Sequence, residues 1–92
     1  MRYILTFDIG TTAVKTCVFD ERLRCVSSAN EEYTLLTGAG NTVELEPETY
    51  ITACRNGIRA TAEKEGLLSH VAAICITTQG ETLIPIDKEG NP

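Results

Sequence analysis

A carboxylate, a glycine and two hydroxyls stand within five consecutive positions, Asp8, Gly10, Thr11 and Thr12, in Phe7-Asp8-Ile9-Gly10-Thr11-Thr12-Ala13-Val14-Lys15. Glycine opens backbone angles closed to other residues and lets another group approach the main chain closely. Two hydroxyls beside amide N–H groups exposed by a turn suit phosphate oxygens. A carboxylate at the same turn would repel phosphate unless a cation lay between them. Mg²⁺ prefers one or two carboxylates together with phosphate oxygens. Asp8 is therefore the metal candidate, and Gly10, Thr11 and Thr12 are the phosphate candidates. The same residues also suit an ordinary hairpin turn, with Asp8 as a turn-favouring residue at a strand end. Taken by themselves they leave both readings open. A P-loop is excluded, because it needs two glycines flanking four residues and then Lys-Ser/Thr opening a helix, whereas a strand follows here.

A second polar group, Thr77-Thr78-Gln79-Gly80-Glu81-Thr82, lies near the end of the chain. Glu81 is suited to accept two hydrogen bonds from adjacent hydroxyls, but taken by itself it reads first as a solvated turn carboxylate. Lys15 reads as an exposed strand lysine unless something anionic comes to it.

The elements that must position these groups follow from pattern. A first strand spans about Arg2 to Asp8 and a second about Ala13 to Asp20, both rich in β-branched and aromatic residues. Asp20-Glu21-Arg22-Leu23 is a polar turn, and a third strand runs from about Arg24 to Leu36, bent near Ser27-Ser28. Three strands with short joins form an antiparallel meander. Thr37 to Thr42 is a loop by its Gly and Asn content.

Pro47 fits the first position of a helix, with Glu46 and Glu48 at the positive end of its dipole. Ile51, Cys54, Ile58 and Ala62 recur at helical spacing and predict the buried face, and Gly66 is the stop. From Pro47 to Glu65 such a helix is about 28 Å long. Val71 to Thr78 is apolar on both faces, the pattern of a central strand covered on both sides. The crossing helix suggests that it runs parallel to the first strand. A last strand is expected from about Thr82 to Ile86, before the turn residues Asp87 to Pro92. Ligands in open α/β sheets gather beyond the carboxyl ends of parallel strands, so Asp8 and Gln79 to Glu81 are expected at one edge.

The 92 residues suit one small domain, and 42% hydrophobic with 23% charged content describes an ordinary globular chain. The net charge of −5 argues against a nucleic-acid face, but not against a nucleotide held through Mg²⁺ and backbone amides. Cys17, Cys25, Cys54 and Cys75 are widely spaced, and three of them fall in apolar segments, where thiols act as small hydrophobes. Zinc is not expected, since the spacing is wrong and His70 is the single histidine. Only five residues separate Arg2 from Asp8, too few for a signal peptide, and the longest apolar run is the six residues Val71 to Ile76. A cytoplasmic protein with no membrane partner is the expectation.

Asp8-Ile9-Gly10-Thr11-Thr12-Ala13-Val14-Lys15 resembles the first phosphate motif of the superfamily of sugar kinases, actin and heat-shock chaperone ATPases. Val43-Glu44-Leu45-Glu46-Pro47-Glu48 is similar to the Val-Glu-x-Asp-Pro-Glu helix start of the FGGY carbohydrate kinases, with Glu46 for Asp and Tyr50 in place of a Trp-containing pair. Gln79, Glu81 and Thr82 match the Asn-Gln-Arg-Glu-Thr of the glycerol-kinase branch, with Thr78 for its Asn and Gly80 for its Arg. The xylulokinase pattern Gly-Gln-Met-His-Gly shares only Gln79.

The resemblance implies an α/β, ribonuclease H-like partial domain of the actin-like ATPase superfamily, a mixed sheet of about five strands with one main helix. It implies ATP and Mg²⁺ as cofactors and a sugar or polyol as substrate. Gly10, Thr11, Thr12 and Lys15 would hold phosphate, Asp8 the metal, and Gln79, Glu81 and Thr82 the substrate. The Arg replaced by Gly80 makes a polyol contact, so its loss counts against glycerol. The family's general base, second phosphate motif and adenine pocket lie far downstream, so residues 1–92 correspond to the first part of the first domain and carry no catalytic base. The sheet face that one helix cannot cover is expected to drive self-association. Against these stand a non-catalytic nucleotide-binding module of the same superfamily and a small interaction domain.

Overall fold

A computed structural model of the chain describes residues 1–41, 43–80 and 83–92. β1 (Tyr3–Ile9) and β2 (Ala13–Phe19) form an antiparallel hairpin around the two-residue tip Thr11-Thr12, with Leu5 opposite Val18 and Ile9 opposite Val14. Strand alternation buries Leu5, Phe7, Val14, Thr16 and Val18 on one face and leaves Asp8 and Lys15 exposed on the other. The Asp20 carboxylate accepts the N–H groups of Arg22 and Arg24 at 2.9 and 3.0 Å and Arg24 Nε at 3.2 Å. This turn reverses the chain into β3 (Cys25–Glu32), antiparallel to β2.

β3 ends earlier than the sequence pattern suggests. The Tyr33 N–H carries the β2–β3 register one step further, to the Thr12 carbonyl at 2.8 Å, and beyond it the partner strand gives way to the hairpin tip. Leu36 belongs to a separate two-stranded ladder, β4 (Leu36–Thr37) with β5 (Val43–Glu44).

α1 (Glu48–Ile58) starts directly after Pro47 and runs on through a π-helical turn at Arg59–Glu63. In that turn the Thr61 hydroxyl donates to the Gly57 carbonyl at 2.7 Å, a back-bond that bends helices. Gly66, at φ +71, ends the helix as anticipated. Its N–H reaches the Glu63 carbonyl at 3.1 Å and the Leu67 N–H reaches Ala62 at 2.8 Å, which satisfies the last orphan carbonyls.

The buried face of this helix matches the expected one at Ala62 and differs from it elsewhere. Ala53, Gly57, Thr61 and Ala62 are buried, Cys54 and Ile58 only half-buried, and Ile51 is 49% exposed. The helix lies so close to β2 that only small residues fit, and the larger apolar side chains are displaced to the flank.

β6 (Val71–Thr78) runs parallel to β1 and completes a four-stranded sheet in the order β3-β2-β1-β6. The α/β meander, helix and parallel strand are those anticipated. β6 is not a covered central strand among the described residues, however. α1 packs over β2 and β3, so Ile74 and Ile76 remain 57% and 61% exposed. The expected last strand does not form over residues 83–86. Pro85 in this run has no N–H to give a ladder. Thr82 lies outside the described residues. The core comprises Leu5, Phe7, Val14, Val18, Tyr33, Ala53 and Ala62. Among the described residues no helix is long and apolar enough to cross a membrane.

Candidate functional site

The hairpin tip is open to solvent. Thr11 and Thr12 are exposed, and among the described residues no backbone carbonyl takes their amide hydrogens. The Gly10 N–H is occupied by the Ala13 carbonyl at 2.9 Å. Gly10 is not among the residues with positive φ, so its value is closeness rather than unusual backbone angles. A Cβ there would sit 3.2 Å from the Ala13 oxygen. Two anchors fix the tip from behind, the Gly10–Ala13 bond and the Tyr33 N–H on the Thr12 carbonyl.

Tyr33 itself is buried, edge-on to Tyr50 with ring centroids 5.3 Å apart. Burial first, then Tyr50, Cys54 and Asp8, push its phenol up to about 12. Its ring is part of the core behind the tip.

Asp8, Lys15 and Thr77 occupy matching register positions on three adjacent strands, with Asp8 paired to each of the other two. The carboxylate and the ammonium therefore share the face opposite α1, one strand spacing apart, beside the hairpin tip. Among the described residues no three His, Cys, Asp or Glu side chains gather as a protein-only metal cage. Mg²⁺ does not need one, since it keeps several waters and takes one or two carboxylates plus phosphate. One exposed Asp8 carboxylate beside an open turn fits that donor set.

The parallel pairing carries β6 to the same edge. The Gln79 N–H donates to the Ile9 carbonyl at 3.1 Å, and the Thr11 hydroxyl donates to Gln79 Oε1 at 2.6 Å. Two groups separated by 68 positions thus meet side chain to side chain. Gly80 follows at φ +82, with open space where a side chain would stand. Glu81 and Thr82 lie outside the described residues.

Thr11 and Gln79 border a cleft of ≈ 670 Å³, shared with Leu35, Glu44, Glu46, Tyr50 and Ile84. A second of ≈ 360 Å³ is lined by Ile9, Tyr50, Thr78, Gln79, Gly80 and Ile84. Tyr50 is the residue that sequence reasoning placed only on a helix. It lines both clefts with Gln79, and its aromatic character at the first turn of α1 was the available signal.

Known proteins resemble this chain in sequence and in fold. The chain is 36% identical over 94 residues to a glycerol kinase of Roseobacter denitrificans and 36% identical over 97 residues to glycerol kinase 2 of Thermotoga maritima. Each match takes in 100% of the chain but 19% of the relative, so the chain spans about a fifth of their length. Among solved structures, a xylulose kinase from Lactobacillus acidophilus superposes with a TM-score of 0.86 at 25% identity, over 99% of this chain and 18% of that one. A Plasmodium falciparum glycerol kinase with ADP gives 0.75 at 26% identity, over 96% and 18%. These neighbours carry the actin-like ATPase fold expected from the sequence. Residues 3–92 match the N-terminal domain of the FGGY family of carbohydrate kinases, and the chain belongs to that family.

Proposed function

We propose that this chain is the N-terminal portion of an ATP-dependent kinase that transfers the γ-phosphoryl group to a hydroxyl of a sugar or polyol. Phosphoryl transfer asks a protein mainly for positioning and charge stabilisation. In this reading the Thr11 and Thr12 amides and hydroxyls, at the tip shaped by Gly10, hold phosphate oxygens, and Lys15 adds a positive charge. Asp8 would hold Mg²⁺, which when bound neutralises the charge developing on the phosphates. Gln79, Glu81 and Thr82 are the residues that would bind the hydroxyls of the acceptor. Gly80 presents no side chain where the glycerol-kinase pattern has Arg, which favours an acceptor other than glycerol.

The observation carrying the reading is the 2.6 Å bond from Thr11 to Gln79, joining the phosphate turn to the acceptor edge. Titration with Mg²⁺-ATP, followed by the amide resonances of residues 10–12, tests it. Shifts at Gly10, Thr11 and Thr12 that vanish on chelating Mg²⁺ are expected. Unmoved resonances there would end the assignment.

Residues 1–92 supply no catalytic base, so the chain by itself does not phosphorylate sugars. ATP-dependent phosphate transfer to any sugar by the purified chain would refute this. The exposed Ile74 and Ile76 on β6 promote pairing with a second copy, which sedimentation at rising concentration would detect.

A further inference from the structure

We propose that the open edge of β6 pairs antiparallel with β6 of a second copy, in the register that sets Cys75 opposite Cys75 of that copy. This rests on the self-association proposed above and gives it a surface and a geometry. β6 is the last strand in the order β3-β2-β1-β6, and among the described residues no backbone hydrogen bond reaches its outer edge. Seven of its eight residues are exposed. Native sheets guard such edges with charge, proline or a covering element, because unpaired N–H and C=O groups template another strand. Val71-Ala72-Ala73-Ile74-Cys75-Ile76-Thr77-Thr78 carries neither charge nor proline. The other edge of the sheet, β3, is guarded by Glu31 and Glu32. An end-to-end contact of β6 with β3 would therefore meet charge and leave edges open to further growth. β6 against β6 brings no charge into the contact and closes a two-fold dimer.

The register follows from which backbone groups are free. The Gln79 N–H donates to the Ile9 carbonyl, and successive residues of a strand turn their backbone groups to alternate sides. Cys75 and Thr77 thus turn theirs towards β1. Ile74, Ile76, Thr78 and Ala72, which has no partner on β1, turn theirs outwards. An antiparallel partner uses all four only when Ala72 meets Thr78 of the second copy and Ile74 meets its Ile76. Each such pair exchanges two hydrogen bonds. Ile74 and Ile76 stand beside Leu5 and Phe7 of β1, on the α1 side of the sheet but exposed. In this register the isoleucines of the two copies pack against one another on the strip that α1 leaves bare. Cys75 falls on the two-fold axis, with its thiol free and exposed. A facing pair at that point is not hydrogen-bonded and has Cα atoms about 4.5 Å apart, inside the roughly 4.4–6.8 Å that a disulfide spans.

The contact is small. At roughly 3.3 Å per residue and about 10 Å of sheet thickness, the edge of β6 offers on the order of 260 Å² per copy. A standard stable interface takes about 800 Å² from each partner. The dimer is therefore transient and concentration-dependent, and trapping it reads the register where isolating it would not.

Sedimentation of the chain at rising concentration should show monomer giving way to dimer. Diamide is then added, a thiol oxidant that takes up the two protons and two electrons released as two thiols join. Digestion and mass analysis without reductant should find Cys75 linked to Cys75. Cys75→Ser should sediment as the unsubstituted chain does and lose the link. Ile74→Lys with Ile76→Lys sets like charges opposite one another, whereas Ile74→Lys with Ile76→Glu sets opposite charges there. The first double variant should dimerise about tenfold more weakly than the second, and both should keep the unsubstituted circular dichroism spectrum. Equal dimerisation of the two, or linkage through Cys17, Cys25 or Cys54 in place of Cys75, overturns the register and leaves self-association standing. Sedimentation as monomer at every concentration overturns both.

Discussion

Gly57 on α1 lies directly against Thr16 on β2. A Cβ built on this glycine would overlap the Thr16 hydroxyl and come within 2.8 Å of the Thr16 Cβ. Both residues are buried, Thr16 at 1% exposure. This contact sets how closely the helix approaches the sheet, and so how Tyr50 is presented at its N-terminal end.

Gly57→Ala should therefore destabilise the chain despite alanine's better helix propensity. Overpacking costs about 1–3 kcal/mol, and here the overlapped Cβ is fixed to backbone and cannot rotate away. Set against a propensity gain of about 1 kcal/mol, a net loss of about 1 kcal/mol, and at most about 2, is expected. Urea midpoints measure it. Thr16→Ala in the same chain should recover part of the loss, because the two sites share one contact.

Leu23 has φ 61, the one non-glycine in the left-handed region among the described residues, and it is 73% exposed. Its N–H closes the β2–β3 turn on the Asp20 carbonyl at 3.0 Å. A left-handed residue with a Cβ costs about 1–2 kcal/mol, partly offset by the greater chain entropy that glycine loses. Leu23→Gly should raise stability by about 0.5–1 kcal/mol. A fall in thermal midpoint would show that the leucine side chain contributes packing.

Asp20 gives the turn a pH dependence. The Arg24 amide first, then the Arg22 amide and the Arg24 side chain, hold its carboxyl below the usual range against an opposing effect of burial. A carboxyl depressed in the folded state stabilises fully above its unfolded value, about pH 4, and loses that contribution as pH falls through the folded value. Thermal midpoints should therefore drop on acidification below about pH 4. Asp20→Asn should be less stable at neutral pH and should flatten the drop. An unchanged profile in the variant would place the acid sensitivity elsewhere.

The hairpin, the parallel strand and the helix stop at Gly66 were legible because each rests on local chemistry: strand alternation, turn composition, a left-handed glycine. The buried face of the helix was legible only in part, at Ala62. Ile51 has the right spacing for burial, but spacing says nothing of how near the sheet comes, and Gly57 against Thr16 leaves room only for small residues. The end of β3 was hidden because it is set by the partner: β2 begins at Ala13, so past the Tyr33–Thr12 bond no strand is left to pair with. At the site, Asp8 and the residue 10–12 turn could be read directly, and parallel pairing implied that Gln79 shares their edge. Tyr50 could not be placed there, because its position depends on the same helix-to-sheet distance.

The Thr11–Gln79 bond separates positioning from direct contact. A neutral hydrogen bond contributes about 1 kcal/mol, close to a fivefold change in affinity. Gln79→Ala should weaken binding of Mg²⁺-ATP by about fivefold, through a hydroxyl no longer held in place. Thr11→Val removes that hydroxyl altogether and should cost more, while Thr11→Ser should keep most of the affinity. Once Thr11 is valine, adding Gln79→Ala should change little further, since the group it positions is gone. Calorimetric titration of the four variants measures the cycle. Strictly additive losses would mean that Gln79 acts on the nucleotide by some route other than the turn.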